Sequence, residues 1–150
     1  MTALQASQLW LMSGALAIVF SCLLGFAMLT LVKRVSEGNP IKSINLRQLG
    51  AAHLDWLMLS FMLALASGFV QAFALAEVPR WAVLALVFGA WVNPLSYLFR
   101  AFGVNAFVFA GGPLQRLSSA LGGMSASAIV AGWLGLVFQA WPVFVQGLPA

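Results

Sequence analysis

Of the 150 residues, 63% are hydrophobic and only 7% charged, too few charged groups to clothe a water-soluble domain of this length. The net charge of +4 rests on seven Lys and Arg scattered among the ends of apolar runs, which excludes the continuous basic face of a nucleic-acid-binding protein. Three acidic residues, one cysteine and one histidine leave no cluster of carboxylate metal ligands, no intrachain disulfide and no C-x-x-C-H haem-attachment motif. A phosphate-binding loop and an H-E-x-x-H zinc pair are absent as well.

Apolar runs long enough to cross roughly 30 Å of hydrocarbon occur at Leu9–Val32, Leu49–Ala76, Trp81–Phe102 and Ala120–Val145. The pattern predicts an all-α protein: an integral-membrane four-helix bundle with residues 1–150 forming a single transmembrane domain. Met1 to Gln8 carry no Lys or Arg, so the first run is expected to be a retained helix, not a cleaved signal. Small residues recur along it at Ser13, Ala17, Ser21 and Gly25, and along the fourth run at Ser125, Ala128, Gly132 and Gly135; such stripes let helix backbones approach. Packing within the bundle is the favoured use over an oligomer seam, and Cys22 reads as a small buried hydrophobe.

The first connection, with Ser36-Glu37-Gly38-Asn39-Pro40, carries turn chemistry and the basic residues Lys33, Arg34, Lys42 and Arg47. Arg100 and Arg116 flank the third connection, with its Gly111-Gly112-Pro113. Only Arg80 stands on the opposite side, in the short Glu77-Val78-Pro79-Arg80 turn that should make helices two and three antiparallel neighbours. The bias puts the first and third connections in the cytoplasm and both termini on the non-cytoplasmic side of a bacterial-type inner membrane.

Within the second run, His53 and Asp55 are the polar residues to be explained. For His53 a hydrogen-bonded structural role competes with that of a ligand. Asp55 reads as an N-terminal-turn carboxylate favoured by the helix dipole, or as a partner of His53 or of a cytoplasmic arginine. In the third run Asn93 needs a partner inside the protein, and Pro94 removes a backbone hydrogen bond, which predicts a kink or cavity. Tyr97 and Arg100 follow Asn93 at i+4 and i+7 and share its face, which can serve a cleft or an interhelical hydrogen-bond ladder equally well. Folding the second and third runs back about a tight turn puts Asn105 near the depth of His53 and Tyr97 about ~10 Å deeper. That gap is the size of a cofactor.

Ala52-His53 on the second run, Trp91-x-Asn93-x-x-x-Tyr97-Leu98-Phe99 on the third, and the Phe/Gly/Pro-containing loop before the fourth resemble the styrene oxide isomerases. The resemblance implies a four-span membrane enzyme that assembles as a homotrimer and binds ferric haem b, with a small aromatic epoxide rearranged to an aldehyde. It implies His53 as the axial iron ligand, Tyr97 as the hydrogen-bond donor to the substrate oxygen and Asn93 as the residue orienting substrate or Tyr97. Where the family has an asparagine six residues after the histidine this chain has Leu59, and Phe109-Ala110-Gly111-Gly112-Pro113 differs from the family's glycine-rich loop. Arg47 and Arg100 are candidates for the haem propionates, since a guanidinium pairs well with a carboxylate at the interface. One histidine per chain cannot give bis-histidine ligation within the chain, although a methionine can still take the sixth position. Two other classes stay open: a non-catalytic haem or quinone subunit, which a second histidine would have favoured, and a cofactor-free structural or transport-associated protein.

Overall fold

In the computed structural model, which describes residues 1–38, 44–105 and 111–147, five helices account for nearly all of the described backbone. They are α1 (Ala3–Ser36), α2 (Leu46–Ala72), α3 (Arg80–Val92), α4 (Leu95–Ala101) and α5 (Pro113–Gln146). With α3 and α4 taken as one interrupted unit, four of these units are long and apolar enough to cross a bilayer. The fold is all-α and the protein is a multi-pass membrane protein. Asn39, Pro40, Lys42, Phe109 and Ala110, which belong to the expected turns, lie outside the described residues.

Local chemistry explains the helix starts. Thr2 and Gln5 form a reciprocal capping box that begins α1 well before its apolar run. The Asn45 side chain accepts from the Gln48 N–H and opens α2. Pro113 sits in the first turn of α5, where a missing N–H costs nothing. At 34 residues each, α1 and α5 are roughly 51 Å long, more than the hydrocarbon thickness, and so must tilt or project from it.

The second connection differs from the expected tight turn. Helix α2 stops at Ala72, Ala74 takes a left-handed conformation with φ 47°, and residues 73–79 form the link. The reason is pairing with the N-terminus: Ala3 N–H donates to the Ala76 carbonyl at 3.0 Å and Val78 N–H to the Met1 carbonyl at 2.8 Å. Those bonds satisfy backbone groups that four more residues of helix would have satisfied internally. The Gln139 amide donates to the Glu77 carbonyl at 2.6 Å, so the N-terminus and the last turns of α5 lie at the same end of the bundle as this link.

The second and third spans are neighbours, as expected, but each has a larger partner. Helix α2 rests mainly on α1, α3 mainly on α5, and the lower part of α2 on α4. The main core gathers Trp10, Leu63, Val70, Val83, Leu86 and Leu136, with the Trp10 indole N–H donating to the Val83 carbonyl at 3.3 Å. A smaller cluster of Ala17, Ala52 and Trp56 lies towards the basic end, with Trp91, Leu95, Tyr97 and Leu98 packed against it. At Gly132 a Cβ would meet the Leu86 side chain at 2.7 Å and the Ala82 carbonyl at 3.1 Å, which is why α5 needs glycine there to reach α3.

Candidate functional site

The α1 stripe of small residues is consumed by the polar groups of the other helices. Ser13 accepts the Trp91 indole N–H at 2.8 Å, Ala17 is fully buried, and Ser21 and Gly25 receive His53. The Ser21 hydroxyl donates to the His53 carbonyl at 2.7 Å. His53 Nδ1 lies 2.8 Å from both the Ser21 carbonyl and the Ser21 hydroxyl oxygen. A backbone carbonyl can only accept, so the contact calls for the proton on Nδ1 and leaves the lone pair of the ring on Nε2. The ring lies against α1 because position 25 is glycine: a Cβ there would meet His53 Cε1 at 3.1 Å.

Asn93 and Pro94 split the third span where the sequence placed a kink. Without an N–H on Pro94, α3 ends at Val92 and α4 starts at Leu95. The Asn93 amide N–H donates to Asp55 Oδ2 at 3.0 Å, and its Oδ1 accepts from the Ser125 hydroxyl at 3.2 Å. The Ser96 hydroxyl donates to the Asn93 carbonyl at 2.9 Å and closes the first turn of α4.

These contacts correct the expectation for Asp55. Because α2 begins at Leu46, Asp55 stands nine residues inside it, beyond the first turn where the helix dipole acts, and its partner is Asn93, not His53 or an arginine.

The face shared by Asn93, Tyr97 and Arg100 runs down one side of α2. Asn93 meets Asp55, Tyr97 packs against the cluster of Ala17, Ala52 and Trp56, and Arg100 borders a polar cavity of about 250 Å³ with Asn45, Gln48, Gly103, Val104 and Asn105. The expected depths are corrected accordingly. Asn105 lies level with Asn45 and Gln48, and Tyr97 lies within a turn of His53 along α2, because the early end of α2 and the seven-residue link shift the pairing register. His53 itself turns its Nδ1 to Ser21 on α1, while Asn93 turns to Asp55 and Ser125. Arg47 is exposed in the first turn of α2.

Three features escaped the sequence reading. Ser21 and Ser125 were visible only as members of small-residue stripes, and their hydrogen-bond partners lie 32 residues away. The Trp56 indole N–H is buried without a hydrogen-bond partner among the described residues, in the cluster against which Tyr97 packs. The T-shaped contact of Trp56 with Phe20, at 4.7 Å between ring centroids, makes this an aromatic wall.

No curated protein and no solved structure matches the chain. A family model for styrene oxide isomerase matches residues 6–144, nearly the whole chain, including the break at Asn93 and Pro94, the Tyr97 face and His53. The chain belongs to the styrene oxide isomerase family.

Proposed function

We propose that the protein is a haem-dependent epoxide isomerase of the inner membrane that converts a small aromatic epoxide to an aldehyde. Membership of the family supports epoxide isomerisation as the reaction class. The observation that carries the cofactor assignment is the state of His53: Nδ1 is engaged by the Ser21 carbonyl, so Nε2 is the nitrogen left to ligate a metal. Among the described residues no three His, Cys, Asp or Glu gather around an ion, so a metal held by His53 needs a macrocycle to bring its other ligands.

Bound through His53, ferric haem b supplies a Lewis acid for the epoxide oxygen. The remaining work falls to side chains. Tyr97 donates a hydrogen bond to that oxygen, and the bond strengthens as the C–O bond opens and negative charge grows there. Trp91 and Phe20, packed about the buried Trp56, are the rings that would face the benzylic carbon as it becomes electron-poor. A hydride then moves with its electron pair to that carbon from its neighbour, and the C=O bond forms. All atoms of the substrate are retained, and no reductant is consumed. Leu95, Leu98 and the indoles exclude the water that would trap the cationic carbon as a diol.

Asn93 orients Tyr97 or the substrate, and Arg47 and Arg100, at the same end as His53, receive the propionates. Assembly as a homotrimer belongs to the same proposal.

The test is the absorption spectrum of the detergent-purified protein beside His53→Ala, together with turnover of a small aromatic epoxide to its aldehyde. A Soret band and aldehyde formation, both lost in the variant, are expected. Full haem occupancy in His53→Ala would overturn the assignment.

A second reading has one observation in its favour. The Asn93 amide is bonded at both ends, as a purely structural interhelical residue would be. A colourless, fully folded protein prepared with ample haem would favour that reading.

A further inference from the structure

We infer that Asp55 is a positioning residue: by fixing the Asn93 amide at the break between α3 and α4, it sets the pose of the short helix that carries Tyr97. The role given to Tyr97 rests on the isomerase reading; the placement of Tyr97 by Asp55 does not.

Helix α4 has seven residues and joins α3 only through Asn93 and Pro94. At that joint Asn93 and Pro94 keep helical dihedrals but the hydrogen-bond ladder is interrupted, so the backbone ties α4 to α3 less firmly than a continuous helix would. Side-chain contacts to neighbouring helices add the missing restraint. Asn93 receives one from each side, Asp55 on α2 and Ser125 on α5. The two bonds differ in strength of specification. The Ser125 hydroxyl also points to the Gly122 carbonyl at 2.9 Å, so its single proton is shared, whereas Asp55 presents a dedicated acceptor.

What the pivot needs at this position is an acceptor oxygen, and the Asp55 side chain supplies it. By accepting from Asn93 it turns the NH2 of that amide to α2, while the carbonyl oxygen accepts from Ser125 on α5. The same stretch of α2 supplies Ala52 and Trp56 to the cluster against which Tyr97 packs, both within one turn of Asp55. Asp55 therefore registers the pivot of α4 on the segment against which the tyrosine packs. Asp55 and His53 have different hydrogen-bond partners, Asn93 for the first and Ser21 for the second, and Asp55 is the only acidic residue inside the four spans.

Tyr97 is the only tyrosine, so uniform incorporation of 3-fluorotyrosine gives a single ¹⁹F reporter of its surroundings. The experiment compares full-length wild type, Asp55→Leu and Asp55→Asn by ¹⁹F spectrum, haem occupancy, kcat and KM for a small aromatic epoxide. For Asp55→Leu, the line should shift or split, and kcat should fall by about tenfold or more with KM and haem occupancy little changed. Asp55→Asn, which keeps an acceptor oxygen, should recover most of both. An unchanged ¹⁹F line in Asp55→Leu overturns the inference, as does Asp55→Asn behaving as poorly as Asp55→Leu. Should Asp55→Leu fail to fold, Ser125→Ala releases the other end of the amide and must broaden or move the same line; an unmoved line overturns the inference there too. A wild type without epoxide turnover would sink the isomerase reading while leaving the ¹⁹F comparison decisive for Asp55.

Discussion

The ring of His53 is held by a backbone carbonyl on one side and by the absence of a side chain on the other, and these two restraints respond differently to substitution. The Nδ1 partner includes the main-chain oxygen of Ser21, which Ser21→Ala leaves in place. Gly25→Leu, by contrast, sets new atoms where His53 Cε1 would lie 3.1 Å from a Cβ. In haem titrations of the apoprotein, Ser21→Ala is expected to weaken affinity by less than about tenfold, and Gly25→Leu by about 10–100-fold, the range seen when the groups that orient a ligand are disturbed. Equal affinities in the two variants would refute the orienting role of Gly25. Tyr97→Phe keeps the aromatic packing on Ala52 and Trp56 and removes only the hydroxyl. Its expected signature is a fall in kcat of about 10²-fold with the Soret band intact. His53 was legible as a candidate because it is the sole histidine, and Tyr97 because it follows Asn93 on one helix face in a string that resembles the family's. Their neighbours were not, since hydrogen bonds between residues 32 positions apart depend on how two helices meet.

At the scale of elements, Pro94 announced the interruption of the third span, because a missing N–H breaks the helical ladder whatever surrounds it. What the break is for was not readable, as the partners of Asn93 come from two other helices. The register of α2 against α4 was misplaced for a related reason. Apolarity continues through Phe73, Leu75 and Ala76, but the backbone there leaves the helix to pair with Met1 and Ala3. The small residues of α5 make a separate test of helix packing. Gly132→Val drives atoms into Leu86 and the Ala82 carbonyl, so it should lower the thermal unfolding temperature in detergent, with an overpacking cost of about 1–3 kcal/mol. Ala128→Val, on the open apolar groove of about 710 Å³ beside Phe88, should change it far less. Similar losses in both variants would show that α5 does not rely on close approach at Gly132.

For the whole molecule, charge and contacts divide the bundle into two unlike ends. Lys33, Arg34, Arg47, Arg100 and Arg116 mark one, and the N-terminus, Glu77 and Arg80 the other. The positive-inside bias predicts that, in a Cys22→Ala background, Glu77→Cys is labelled by a membrane-impermeant thiol reagent from the outer side of intact spheroplasts, and Glu37→Cys only after lysis. The reverse pattern would invert the proposed orientation. The sequence by itself determined the solvent, the all-helical class, the four apolar spans and the interruption of the third. Those follow from composition, run length and the covalent chemistry of proline, which act locally. Only the tertiary structure decided that His53 turns to α1, that Asp55 belongs to Asn93, and that Tyr97 lies within a turn of His53 along α2. The physical reason is that helices uniformly apolar around their circumference carry no strong moment to say which face turns inward. In such helices, the few polar groups and the glycines that permit close approach select the partners, and they do so only once all the helices are packed together.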